Sequence, residues 1–113
     1  MIPIIDLHAH ILPGIDDGAR NTEEAVRMCQ IASSSGVQAI VATSHGNLGE
    51  LSLTQYKDAY RMLYHELKKN EIPIRLYSGM EIFMNHEAVE KLERKALLTL
   101  NRTAYVLVEF DFE

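Results

Sequence analysis

His8 and His10 stand one residue apart where the apolar stretch Ile2-Pro3-Ile4-Ile5-Asp6-Leu7 runs out, and the acidic cluster Asp16-Asp17-Gly18 follows soon after. In an extended strand residues i and i+2 face the same side, so Asp6, His8 and His10 are predicted to project together from one strand end. Imidazoles and carboxylates gathered at a strand's C-terminal edge are the raw material of a metal site. Three more residues of the same chemistry, His45, Glu81 and Glu109, fall at or near the ends of later apolar segments. Glu81 lies in Tyr77-Ser78-Gly79-Met80-Glu81-Ile82-Phe83 and Glu109 in Val106-Leu107-Val108-Glu109-Phe110, with no basic residue close in sequence. A carboxylate buried among apolar neighbours is costly unless a cation balances it, and a metal ion resolves both cases. Mixed histidine and carboxylate donors suit borderline ions such as manganese, iron or zinc. Carboxylates can also bridge two ions about 3.5–4 Å apart, the layout of two-metal phosphoester hydrolysis. The residues point first to a metal-dependent hydrolase.

Other chemistries are poorly served. Cys29 is the single cysteine and is followed by Gln30-Ile31-Ala32-Ser33-Ser34-Ser35. A thiolate nucleophile needs an electropositive cradle, and this segment has no arginine, so Cys29 is read as core. No serine occupies a Gly-x-Ser-x-Gly elbow, and the glycines form neither a dinucleotide fingerprint nor a phosphate-binding loop. His65 is expected on a helix surface and His86 at a helix start. Asp111 and Glu113 read as solvated charges, and Asp16 as a residue that contacts water or backbone.

The elements that must position the candidate ligands alternate along the chain. A first strand is expected over Ile2–His8, then a helix capped by Asn21 with Glu24 completing a capping box. Ala25, Met28, Cys29 and Ala32 give that helix a buried stripe, and Gly36 stops it. A second strand spans Gln38–Thr43 and leads to Ser44-His45-Gly46. Ser52 and Gln55 offer another capping box before a helix whose inner face is Tyr56, Ala59, Tyr60, Leu63 and Leu67. That helix ends near Asn70, and Pro73 prevents its continuation. A third strand is predicted over Ile74–Phe83. Next come a short helix capped by Asn85 with Val89 and Leu92 facing inward, a turn at Asn101-Arg102-Thr103, and a last strand over Ala104–Phe110. The order βαβαβαβ implies parallel strands joined by crossovers. The candidate ligands then share the C-terminal rim, where α/β barrels keep their active sites.

Bulk composition sets the frame. With 113 residues and 47% of them hydrophobic, one α/β domain covering residues 1–113 is expected. The net charge of −5 disfavours nucleic acid as a partner, since phosphate binding requires clustered lysine and arginine. Lys68-Lys69 and Arg94-Lys95 read instead as charges at helix C-termini. No apolar run is long enough to span a membrane. The opening residues lack a signal-peptide pattern and a lone cysteine fits a reducing compartment, so a cytoplasmic location is expected.

Taken together, these residues resemble the PHP (polymerase and histidinol phosphatase) superfamily, whose first motif is similar to Asp6-Leu7-His8-Ala9-His10. More narrowly, His8-Ala9-His10-Ile11-Leu12-Pro13-Gly14-Ile15-Asp16-Asp17-Gly18 resembles the opening of bacterial PHP-type protein-tyrosine phosphatases linked to capsule and exopolysaccharide synthesis. Ile40-Val41-Ala42-Thr43-Ser44-His45, Gly79-Met80-Glu81-Ile82 and Val106-Leu107-Val108-Glu109-Phe110 are similar to later parts of the same family, in order and spacing. The resemblance implies the N-terminal half of a distorted (β/α)7 TIM-like barrel. It implies metal ligands at His8, His10, Asp17, His45, Glu81 and Glu109, within a cluster of up to three ions in the complete site. Manganese is the implied metal, with iron, zinc or magnesium as alternatives, and metal-activated water takes the place of a protein nucleophile. The implied substrate is a phosphotyrosine protein, the tyrosine kinase that regulates polysaccharide export. Other readings are a histidinol-phosphate phosphatase or a non-catalytic metal-binding half-barrel. A half-barrel leaves strand edges open, so a homo-oligomer is expected.

Overall fold

A computed structural model describes residues 2–48 and 51–110; the expectations for Asp111 and Glu113 lie outside them. The elements are strand β1 (Ile4–Ala9), helix α1 (Thr22–Ser34), β2 (Val37–Ala42), α2 (Leu53–Lys69), β3 (Arg75–Ser78), β4 (Glu81–Phe83), α3 (His86–Glu93), a 3-10 turn at Leu100–Arg102, and β5 (Leu107–Glu109). Parallel strands alternate with helices, as the element order requires.

Local chemistry sets the helix ends. The Asn21 side chain accepts the Glu24 N–H at the start of α1. The expected reciprocal bond does not form, because the Glu24 carboxylate takes the Arg20 guanidinium at 3.0 Å instead. At α2 the capping box is complete: Ser52 Oγ accepts the Gln55 N–H, and the Gln55 side chain accepts the Ser52 N–H. Gly36 follows α1 at φ +98°, a left-handed conformation that a side chain would oppose. On α3 the inward face differs from the prediction. Val89 is half-exposed and Ala88 is buried, so the stripe runs through Ala88 and Leu92 at i, i+4 spacing.

β1, β2 and β3 form one parallel sheet with β2 in the centre, while β4 and β5 form a second. The single strand expected over Ile74–Phe83 therefore breaks into two that belong to different sheets. The break falls at Gly79, where a Cβ would stand 2.8 Å from the Val41 side chain. Backbone groups freed there are captured by the buried Tyr56 hydroxyl, which donates to the Ala42 carbonyl at 2.8 Å and accepts the Gly79 N–H at 3.0 Å. The expected last strand shortens to Leu107–Glu109, with Ala104, Tyr105 and Val106 exposed before it.

Two contacts stitch the sheets together. His45 and Glu81 form an isolated parallel bridge, in which the Glu81 N–H donates to the Ser44 carbonyl and the Gly46 N–H to the Glu81 carbonyl, both at 2.9 Å. Just beyond, the Asn47 side chain pairs with both backbone groups of Phe83 at 2.8 Å. The main core lies between the first sheet and helices α1 and α2, with Ile40, Ala42 and Leu76 meeting Ala25, Cys29, Tyr56, Leu63 and Leu67. Met28, expected on that stripe, sits at its margin and is 36% exposed.

Candidate metal centre

β1 delivers the first two histidines. His8 is its penultimate residue, and His10 follows just past its end. The β1–β2 register slips between Asp6 and Ala9, so the simple alternation expected for Asp6, His8 and His10 does not hold. Asp6 turns its carboxylate back to accept the His8 N–H at 3.0 Å and stays out of the cluster. His8 and His10 do converge, with ring centroids 5.5 Å apart.

Glu81 is where they meet. His8 Nε2 lies 2.8 Å from one Glu81 oxygen, and His10 Nε2 and His45 Nδ1 each lie 3.2 Å from the other. The third histidine arrives through the parallel bridge, which sets the His45 and Glu81 side chains on the same side of the backbone. Glu109 arrives through register: Glu81 pairs with Leu107 and Phe83 with Glu109, so period-2 alternation puts both carboxylates on one face. Its burial is only intermediate, less than the sequence context implied.

The loop after His10 contributes Asp17, whose Oδ1 stands 3.4 Å from His45 Nε2 and 3.8 Å from His10 Nδ1. That loop folds back on its own origin: Ala19 donates to the His10 carbonyl at 3.1 Å and Gly14 to the Ala19 carbonyl at 2.8 Å. Gly18 makes the approach possible, since a Cβ there would stand 2.0 Å from the His10 carbonyl oxygen. Neighbouring Asp16, read from sequence as a contact for water or backbone, does accept backbone N–H groups, those of Gly18 at 2.9 Å and His45 at 3.2 Å, and in addition takes His10 Nδ1 at 2.9 Å. The pair Asp16-Asp17 carries no local signal for this, because the partner is chosen only when the loop closes.

All six residues are therefore drawn into three overlapping groups: His8, His10 and Glu81; His10, Asp17 and His45; His45, Glu81 and Glu109. Each group shares one residue with each of the others, so the three form a closed circuit. His65 and His86 stand exposed on helices α2 and α3, away from this cluster.

The electrostatics favour a cation beside Glu81. The Glu81 side chain is only 7% exposed, and among the described residues every lysine or arginine ion pair is made to Glu24, Asp58, Glu87 or Glu90 on the helices. Among the described residues the cationic partners of Glu81 are three imidazoles. His45 Nδ1 is buried and makes no well-aligned hydrogen bond among the described residues, although a Glu81 oxygen stands 3.2 Å away. Burial pulls the His10 pKa down, but the hydrogen bond and charge of Asp16, with the charges of Glu81 and Asp17, outweigh it and leave the value raised above 6.5. Carboxylates that attract a proton to His10 attract a metal ion for the same reason. This donor set, nitrogen and oxygen without sulfur, fits a borderline divalent ion. Cys29 plays no part: it is fully buried on α1, and burial pushes its thiol up to about 11.

Comparison with known proteins follows the same direction. A family model described as "Capsular polysaccharide synthesis, CpsB/CapC" matches residues 4–113. The chain is 37% identical over 112 residues to the tyrosine-protein phosphatase YwqE of Bacillus subtilis, covering 97% of this chain and 44% of that protein. It is 31% identical over 113 residues to the tyrosine-protein phosphatase CpsB of Streptococcus agalactiae, covering 97% of this chain and 46% of that one. Among solved structures, a chain from the crystal structures of YwqE from Bacillus subtilis and CpsB from Streptococcus pneumoniae, described as unique metal-dependent tyrosine phosphatases, matches with a TM-score of 0.89 at 36% identity. That match covers 96% of this chain and 45% of the other. The chain thus spans about half the length of the relatives it matches.

Proposed function

Since this chain belongs to the CpsB/CapC family of capsular polysaccharide synthesis, we propose that it carries the metal-binding part of a phosphatase acting on phosphotyrosine in a protein. The observation that carries this reading is Glu81, a nearly buried carboxylate faced by His8, His10 and His45. The proposed ligands are those three histidines with Asp17, Glu81 and Glu109. Manganese is the proposed ion, and the three overlapping groups support up to three ions in a complete site. Ions bound there supply a water of lowered pKa and stabilise charge on phosphoryl oxygens.

The protein's own contribution is placement. The His45–Glu81 bridge fixes one imidazole against the central carboxylate before any ion binds. Glu109, brought to the same face by the β4–β5 register, adds a second carboxylate from another strand. The cluster stands at the C-terminal ends of β1, β2 and β5 and at the start of β4. We read the two parallel sheets as the N-terminal half of a distorted (β/α)7 barrel, a reading supported by the TM-score of 0.89 over 45% of the matched chain. The proposed substrate is a tyrosine kinase of capsule or exopolysaccharide synthesis, reached in the cytoplasm. No helix among the described residues is long and apolar enough to cross a membrane. The open edge of β1 supports association between copies of the chain.

The test is hydrolysis of p-nitrophenyl phosphate and of a phosphotyrosine peptide with added manganese. Turnover should disappear with a chelator and in the double variant His8→Ala/His10→Ala. Hydrolysis indifferent to the chelator would refute the metal-dependent reading.

A further inference from the structure

Asp16 belongs to none of the three ligand groups, yet its side chain is only 6% exposed and every one of its oxygens is committed. Oδ1 accepts the Gly18 N–H at 2.9 Å. Oδ2 meets His10 Nδ1 at 2.9 Å and accepts the His45 N–H at 3.2 Å. An ionised carboxylate only accepts hydrogen bonds, so this contact requires His10 Nδ1 to carry the proton. In the neutral ring Nε2, on the far side and 3.2 Å from Glu81, then keeps the lone pair.

We propose that Asp16 is the positioning residue of this centre: one carboxylate selects the His10 tautomer that presents Nε2 and ties the His45 backbone to the same oxygen. It thereby sets the spacing of two histidines that come from different strands. Histidine ligands commonly donate their second ring nitrogen to a carboxylate, which fixes ring orientation and raises ligand basicity. The inference rests on the metal-dependent reading above and adds a residue to it.

Asparagine at position 16 cannot reproduce the pattern. Its amide offers one oxygen, and whichever way it turns, its NH2 group faces a backbone N–H, of Gly18 or of His45. The decisive measurements use the whole chain. Long-range 1H–15N NMR of the metal-free wild type at about pH 9, well above the ordinary histidine range, should show His10 protonated at Nδ1 and bare at Nε2. In Asp16→Asn the Nε2–H tautomer should become populated. Manganese affinity, read by competition with a fluorescent chelator, should fall about 10- to 100-fold.

A wild-type His10 protonated at Nε2 overturns the inference whether or not the variant folds. So does an Asp16→Asn chain that keeps its manganese affinity, an outcome that leaves the metal-dependent reading standing. Weakened affinity with the tautomer unchanged overturns it too, because Asp16 would then only staple the loop. A wild type that binds no manganese sinks the metal-dependent reading and the inference with it.

Discussion

His10 is subject to two equilibria that run in opposite directions with pH. Its pKa in the folded, metal-free chain lies above 6.5 because Asp16, Glu81 and Asp17 outweigh the effect of burial. A histidine whose folded pKa exceeds its unfolded value contributes stability that is fully present below about 6.5 and is lost as pH rises through the folded value. Metal binding needs the neutral ring, so it weakens as pH falls through the same window. Calorimetry of the metal-free chain should therefore show the wild-type advantage over His10→Gln shrinking as pH rises above about 6.5. The stabilisation conferred by manganese should grow over the same interval. A metal-free advantage that increases with pH would show that the carboxylates do not hold a proton on His10. Cys29 offers a simpler check. With its thiol buried and raised to about 11, it should resist alkylation in the folded chain, and Cys29→Ala should keep whatever phosphatase activity the wild type has.

The segments that carry ligands are held by a few close contacts. Gly18 lets the loop of residues 11–19 lie against His10, and a Cβ would meet the carbonyl oxygen at 2.0 Å. Gly18→Ala must push that loop away, and overpacking of this kind costs about 1–3 kcal/mol. It should also weaken manganese binding, because Asp16 and Asp17 move with the loop; a binding isotherm equal to wild type would contradict this account of the glycine. Tyr56 does comparable work at the strand break, where its hydroxyl satisfies the Ala42 carbonyl and the Gly79 N–H. Tyr56→Phe removes both hydrogen bonds and leaves the Gly79 N–H without its hydroxyl acceptor, and urea unfolding should register a loss of about 1–3 kcal/mol. The sequence made the helix caps at Asn21, Ser52 and Asn85 legible, since each involves residues within three positions of one another. It offered only a weak sign of the break at Gly79, the Ser78-Gly79 pair inside an otherwise strand-like stretch from Ile74 to Phe83. Only packing against Val41 and a change of partner strand divide it.

The fold leaves apolar surface along one side. Among the described residues β1 pairs with β2 alone, and Ile5 and Leu7 remain 57% and 52% exposed, beside an Ile2 that is 83% exposed. An edge strand with such a row invites pairing with another chain, and lysine on the edge is a common deterrent. Sedimentation equilibrium at micromolar concentration should return a mass above the 12.8 kDa of a single chain. Leu7→Lys should shift the distribution toward the monomer. A wild type that sediments as a monomer and unfolds cooperatively would mean that this edge tolerates water.

The sequence by itself determined the type of chemistry and the order of the elements that deliver it. His8, His10, His45, Glu81 and Glu109 each stand at or beside a short strand, and that placement depends on local apolar patterning. Tertiary structure decided which groups face one another. The histidines converge on Glu81 across 36 to 73 positions of chain, a closeness that no local period encodes. The role of Asp16 was decided there too. In sequence it is indistinguishable from Asp17, yet one side chain is 6% exposed and the other 81%. The loop can bury only the carboxylate whose three donors, on His10, Gly18 and His45, are brought together by the closing of the chain. Burying a charge requires such partners to be already in place, and where they stand is a property of the folded molecule.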